Sequence, residues 1–403
     1  MKKFITSRKI GNFFSKPFFS DYRTIAALWF ILVIITFLTK GAFNPEKCNN
    51  FMIFRGVFFH TIDQLPLFDA YPDEYKDVNH YGPLFSLIIA PFALLPRLAG
   101  LFLWQTFLAA TLFYTILKFP FSRKQKITVF WIISLEVLSS LQMQQFNLII
   151  AATVAGSLIA ATKNKPSLFA FLVVIGTLTK LYGIVGIVFI LFTNRKKDSL
   201  LWFAIWGSIL FALPMLISSP EYIFSQYGAW IDALSEKNLQ NAETSSVLQN
   251  ISAIGMIHRI SRLEFSDLLI LVPAAIIFFL PLLRIRMYAD FRFRWRILAS
   301  ALMCIILFST GSESSGYVIA FLGIAIWYIL NDKNIQPYYV FLLVFALLIC
   351  GFGGSDLMPS YIRKEIIRAY ALKALPVMLI WFTLIFQLLK SGLPNPSAIN
   401  HKP

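Results

Sequence analysis

The apolar positions of this chain fall in long blocks. Stretches near 24–41, 98–117, 127–143, 146–162, 167–180, 181–193, 199–217, 266–283, 297–309, 317–330, 338–352 and 373–389 are apolar almost throughout. A membrane-crossing helix needs about 17–25 mostly apolar residues, so the blocks predict about twelve transmembrane helices, several of them short. The pair covering 167–193 reads equally as one broken hairpin. The apolar stretch 82–96 carries Pro83, Pro91 and Pro96 in fifteen residues and predicts a re-entrant or interfacial helix. The fold class expected is all-α: a polytopic membrane helix bundle forming a single domain over 24–390, with an arm at 1–23 and a tail at 391–403.

Composition supports lipid as the solvent. The chain is 58% hydrophobic and 14% charged, against about 45–50% and about 25% for soluble domains. No polar stretch is long enough for a separate soluble domain. The arm is basic and Phe-rich, and the apolar run behind it lacks a small-residue cleavage site, so Ala26 to Thr39 reads as a signal anchor.

Charge then orients the bundle. With both termini cytoplasmic, the inner segments hold 23 of the 36 Lys and Arg residues and four of the 20 acids. That is a positive-inside pattern, which predicts a multi-pass membrane protein with both termini cytoplasmic. The net charge of +16 is thereby topological, and no nucleic-acid partner is expected, because that would need a clustered basic face outside the membrane. Two long loops, 40–81 and 218–265, fall on the outer side. Transporters place their polar residues at the midplane; here they gather at the outer surface, which points to chemistry there.

Several side chains are candidates for that chemistry. In the first loop, Phe51, Phe54, Val57 and Phe58 mark the apolar face of a helix lying on lipid, while Asn50, Arg55 and His60 lie off that face. Cys48, in the same loop, is expected to be open to an impermeant thiol reagent, whereas Cys304 and Cys350 sit in apolar stretches as small core residues. Glu136 lies inside a span, where a carboxylate needs a functional reason or a buried partner. Gln142 to Asn147 closes a turn between two spans with amides suited to sugar hydroxyls, each with two donors and an acceptor. Lys180 stands alone at an outer hairpin turn, where a lipid phosphate would fit it. Asn250 and Ser252 lie in the second loop, and Glu313 is the single acid of the loop Ser309–Gly316, as a base or as a cap for the next helix. No P-loop, zinc-protease, serine-hydrolase or dinucleotide-binding motif is present.

The strings Tyr81-Gly-Pro-Leu-Phe through Ala90-Pro-Phe-Ala-Leu-Leu-Pro96, Gln145-Phe-Asn147, Thr177-Leu-Thr-Lys180 and Asn250-Ile-Ser252 occur in that order. Together with the basic arm, one span, a long outer loop and many further spans, they resemble glycosyltransferase family 87, the polyprenyl-phosphomannose-dependent mannosyltransferases of the GT-C class. The resemblance covers about residues 25–330. It implies a GT-C-like bundle with interfacial helices on the outer face. The expected activity moves a hexose, mannose in the first instance, from a polyprenyl-phosphate donor to a glycan or glycolipid acceptor on the periplasmic side. The partners implied are that donor, the acceptor and membrane lipid. No cofactor and no metal ligand set is expected.

The resemblance implies substrate binding by Lys180, Gln145, Asn147, Arg55, His60, Tyr81, Asn250 and Ser252. It also implies an outer-face carboxylate as general base. Two departures bear on that base. The aspartate of the family's first loop matches Asn50, which cannot take a proton. The family's histidine-bearing motif is replaced by the loop with Glu313. Glu313 becomes the expected base, with Asn50 beside it and Glu46 or Asp69 as reserves. A lipid-linked polysaccharide polymerase or ligase is the alternative, for which His258, Arg259 and Arg262 would serve; a transporter or flippase is a weaker one, lacking internal repeats.

Overall fold

The computed structural model describes residues 17–243, 248–331, 335–355, 357–390 and 392. Most of the expected arm and nearly all of the expected tail lie outside the described residues. Among those described, every element is helical. In chain order they are α1 (Tyr22–Phe37), α2 (Asn49–Asp63), α3 (Phe85–Ala93), α4 (Arg97–Leu117), α5 (Arg123–Gln142), α6 (Asn147–Thr162) and α7 (Pro166–Thr179). A 3₁₀ segment, Leu181–Phe192, precedes α8 (Lys196–Ala212), α9 (Pro220–Glu243), α10 (Ala253–Ser261), α11 (Leu268–Phe279), α12 (Phe291–Leu307), α13 (Tyr317–Leu330), α14 (Pro337–Ala346) and α15 (Ala374–Lys390). The protein is an all-α membrane helical bundle.

Each of the twelve apolar blocks contains a helix. Tyr22–Ala42, Arg97–Leu117 and Lys196–Leu216 are each long and apolar enough to cross a bilayer. Others are shorter: the 14 residues of α7 rise about 21 Å, below the roughly 30 Å of a hydrocarbon core. Helix α3 has nine residues and cannot span.

Burial sorts the helices into layers. In α13 nearly every residue from Tyr317 to Leu330 is buried, so an all-apolar helix forms the centre of the protein. Helices α12, α5 and α6 pack around it. In α8 only Ser199 and Leu210 are buried, and in α11 only Ala274. Helix α11 is as apolar as the centre and α8 is apolar beyond its first turn, but both turn their side chains outward, as lipid-facing helices do.

The stretch 167–193 is a broken hairpin. Gly176 meets Gly183, and Val173 meets Gly186, so the two arms run antiparallel with their backbones in contact. A Cβ on Gly183 would stand 2.3 Å from the Gly176 carbonyl carbon, which only glycine avoids. Lys180 has extended backbone at the tip.

The first loop differs from the expectation of a helix lying on lipid. Phe51, Phe54, Val57 and Phe58 of α2 are buried inside the protein. Phe54 packs edge-on against Tyr81, Phe85 and Trp104 at 5.1, 4.9 and 6.0 Å between ring centres. Such ring pairs contribute about 0.5–1.5 kcal/mol each beyond area burial. Cys48 is also buried, its thiol donating to the Pro45 carbonyl at 3.0 Å, so it is not open to an impermeant reagent as expected. Cys350 is buried and Cys304 partly so. Glu136 has a partner, Lys373, whose Nζ stands 4.0 Å from Oε2; both residues are almost wholly buried.

Candidate functional site

The turn between α5 and α6 is the scaffold of the site. Gln144 takes left-handed backbone, φ 57°, and reverses the chain. Its side chain accepts from the Phe51 amide at 3.1 Å and donates to the Lys47 carbonyl at 3.2 Å. Trp104 holds the Gln144 carbonyl at 2.8 Å. The next residue but one, Phe146, buries its ring against Tyr81, Phe85 and Trp104. With Phe146 pointing into this cluster, Gln145 and Asn147 face the other way, into a cavity.

Gly82 brings the first loop to the hairpin tip. Its amide donates to the Thr179 carbonyl at 3.0 Å, and a Cβ there would lie 2.2 Å from the Leu178 carbonyl oxygen. This close approach sets the Tyr81 ring 5.6 Å from the Lys180 ammonium. Tyr182 offers a second ring face at 4.9 Å, and both distances lie within cation–π range. The Tyr182 hydroxyl pairs with Ser309 Oγ at 2.9 Å, which ties the tip to the 309–316 loop.

A cavity of about 340 Å³ opens among these elements. Four of the expected residues form a continuous hydrogen-bonded chain along its wall. Lys180 Nζ donates to Asn147 Oδ1 at 2.9 Å, Asn147 Nδ2 to Gln145 Oε1 at 2.8 Å, and Gln145 Nε2 to Glu313 Oε2 at 3.0 Å. Ser315 Oγ also donates to Gln145 Oε1, at 3.0 Å. Lysine can only donate and a carboxylate can only accept, so the two amides must all point one way. The Glu313 side chain makes no capping bond to the following helix; it reaches across to Gln145 instead.

A smaller pocket of about 50 Å³ adjoins the cavity. His80, Tyr81, Gln145, Lys237 and Glu313 line both, and Asn50, Ile53, Phe54, Asp77 and Val78 line only the smaller one. Asn50 donates to the Met143 carbonyl at 2.7 Å. Helix α9 covers the larger cavity with Leu234, Lys237, Asn238 and Asn241, and Thr310 donates to Asn238 to hold that helix on the loop.

The structure thus gathers Lys180, Gln145, Asn147, Tyr81, Glu313 and Asn50 at one end of the bundle. Four other expected binding residues are not among those lining either cavity. Arg55 donates to the Leu95 carbonyl at 3.2 Å and lies over Phe59. His60 is buried under the loop that follows α2, within 3.2 Å of Glu74 and stacked on Tyr71. Asn250 and Ser252 build a helix start: Ser252 Oγ accepts from the Gly255 amide at 3.1 Å and donates to Asn250 Oδ1 at 2.6 Å. Between them the Ile251 amide donates to the Ser312 carbonyl at 2.7 Å, so this motif braces the loop that carries Glu313. The reserve acids Glu46 and Asp69 are exposed and line neither space. His258 pairs with Asp267 at 2.8 Å, and Arg259 donates to the carbonyls of Gln249 and Arg368.

Sequence reasoning passed over Asp77, His80 and Lys237. His80 adjoins Tyr81 in the sequence, which was the available signal. Its ring is partly exposed, yet both ring nitrogens are buried without a hydrogen-bond partner. Burial lowers its pKa from 6.5 to about 4, and the nearby Lys237 charge acts in the same direction. The imidazole is therefore neutral at ordinary pH.

None of the curated proteins compared with the chain matches it. The description of glycosyltransferase family 87 matches residues 79–310, a stretch running from the end of the first loop through the α5–α6 turn and the Lys180 hairpin to the start of the 309–316 loop. That is more than half of the sequence, and the chain accordingly belongs to glycosyltransferase family 87 as a membrane glycosyltransferase.

Proposed function

We propose that the protein transfers a hexose, mannose in the first instance, from a polyprenyl-phosphate donor to a glycan or glycolipid acceptor at the outer face of a bacterial inner membrane. The observation that carries the reading is the chain Lys180–Asn147–Gln145–Glu313 along one cavity wall. It keeps a cation and a carboxylate in one space, separated by two amides. Group transfer from a lipid phosphate needs those two charges at opposite ends of the reacting sugar.

In the proposed step, Glu313 takes the proton of the acceptor hydroxyl as its oxygen attacks the anomeric carbon. The bond from that carbon to the phosphate oxygen breaks, and its electron pair leaves on the lipid phosphate. Lys180 stabilises the charge that develops there. Asn147 and Gln145 hold the two ends apart, so the base is not neutralised by direct pairing with the lysine. Glu313 stands in for the first-loop aspartate that Asn50 replaces.

The test is direct. Purified protein in nanodiscs is given radiolabelled polyprenyl-phosphomannose and a membrane glycolipid extract. Labelled glycolipid with wild type, and loss of it in Glu313→Gln, is the expected result. Full turnover in Glu313→Gln would remove Glu313 from the role.

A further inference from the structure

The two adjoining spaces differ greatly in size, and that difference bears on the acceptor. A water-sized group occupies about 10–15 Å³ on this scale. The larger cavity of about 340 Å³ therefore has room for a hexosyl phosphate, and Lys180 lies on its wall. The smaller pocket, about 50 Å³, takes only about three to five such groups, whereas a hexopyranosyl unit has roughly eleven non-hydrogen atoms. A whole sugar ring cannot enter it.

Its walls nonetheless suit a hydroxyl. Asp77 and Glu313 offer carboxylate oxygens and Asn50 an amide, with Lys237 as a donor. Asp77 Oδ1 already accepts from the Val78 amide at 2.9 Å, which fixes the direction of its carboxylate. His80 stands on the shared wall. Ile53, Phe54 and Val78 close the remainder with apolar surface. Glu313 lines both spaces, so a hydroxyl in the pocket lies beside the carboxylate that faces the cavity.

We propose that this side pocket is the acceptor subsite, that it admits a primary hydroxyl on an exocyclic or open-chain CH₂OH group, and that Asp77 is the residue that orients it. The inference rests on the glycosyl-transfer reading above and deepens it. Secondary ring hydroxyls are excluded by size, because the ring carbon and its substituents would have to enter with them. Asp77, Asn50 and Glu313 lie outside the matched residues 79–310, while His80, Tyr81, Gln145 and Lys237 of the same pocket lie inside them.

The experiment uses two acceptors that differ in one group. Full-length protein in nanodiscs receives labelled polyprenyl-phosphomannose with octyl β-glucopyranoside, which carries a CH₂OH, or octyl β-xylopyranoside, which lacks it. Transfer to the acceptor and release of free mannose by water are measured together. Wild type is expected to mannosylate the glucoside at its primary hydroxyl at least ten-fold faster than the xyloside. Asp77→Asn should raise the acceptor KM about ten-fold, and Val78→Phe, which fills the pocket, should cut the ratio of transfer to hydrolysis at least ten-fold. Equal rates with the xyloside, linkage to a ring hydroxyl, or an unchanged transfer ratio in Val78→Phe would each overturn the subsite while leaving the parent reading standing. A wild type that neither transfers nor hydrolyses the donor would overturn both.

Discussion

Among the described residues, two lysine–glutamate pairs are kept in opposite ways. Lys373 and Glu136 sit 4.0 Å apart, almost wholly buried, with neither carboxylate oxygen of Glu136 hydrogen-bonded. The Lys373 ammonium lies over the Tyr317 ring at 4.8 Å, and neither residue lines the cavity. Lys180 and Glu313 never meet; two amides stand between them, and both face open space. The first pair sets the two opposite charges against each other in the interior, Lys373 just before α15 and Glu136 in α5. The second leaves each charge free to act on a ligand. A buried pair is weak evidence for stability, since desolvation offsets most of the attraction. A separated pair in a cavity has no such structural rationale, and that asymmetry supports the role proposed for the Lys180 end of the protein.

The comparison breaks most sharply at the separated pair. Glu313→Gln preserves shape and hydrogen bonding to Gln145 but cannot take a proton. Transfer should fall by about 10²–10⁴, with an unchanged thermal midpoint. Lys180→Met should cost about 10²–10³ in kcat, also without unfolding, because its aromatic neighbours still pack on the methionine. Rates for both variants within ten-fold of wild type would show that the separated charges serve packing alone.

At the closed pair the expected loss is in stability. Lys373→Met strands the Glu136 carboxylate in the interior, and breaking such a pair costs about 3 kcal/mol or more. The midpoint of thermal unfolding in detergent should drop clearly. The double variant Glu136→Leu with Lys373→Leu should recover most of it, since apolar residues of similar size do as well there. A double variant no better than the single one would mean the pair has a role beyond mutual neutralisation.

The helical bundle was legible because lipid imposes a simple rule: blocks of apolar residues must be helical. Lys180, Gln145, Asn147 and Glu313 were legible because polar side chains between such blocks need a reason. Asp77 and Lys237 were not, because nothing local distinguishes them from other loop charges; only the docking of Gly82 on the hairpin tip and the seating of α9 over the cavity give them a site. Asn250 and Ser252 lie away from the cavity walls for a related reason. A serine three residues before Gly255 is a helix-start signal, and that role explains the motif without a ligand. His60 lay off the apolar face of α2, but periodicity cannot show that Tyr71 and Tyr75 fold back to cover it.

His80 provides the smallest effect and a check on how the cavity manages charge. Its pKa is lowered from 6.5 to about 4, first by burial and then by Lys237, against a partial opposing effect of Asp77. The folded protein thus resists protonating a ring that the unfolded chain protonates readily. In the pH window from 6.5 down to 4 the unfolded state binds more protons, so stability falls as pH falls. Above 6.5 the contribution is complete and flat. The ring is partly exposed, so the effect is discounted to about 1 kcal/mol. Thermal midpoints of wild type and His80→Phe should then run parallel above pH 7, and between pH 6.5 and 4.5 the wild-type midpoint should fall further below its neutral value than that of His80→Phe. Replacing Lys237 with methionine removes one of the causes, after burial and beside the weaker Lys180 charge, and should shrink the drop of the wild-type imidazole while leaving its direction unchanged. Parallel curves throughout the acid range would mean that His80 protonates as easily in the folded protein as in the unfolded chain, and that the cavity does not hold it neutral.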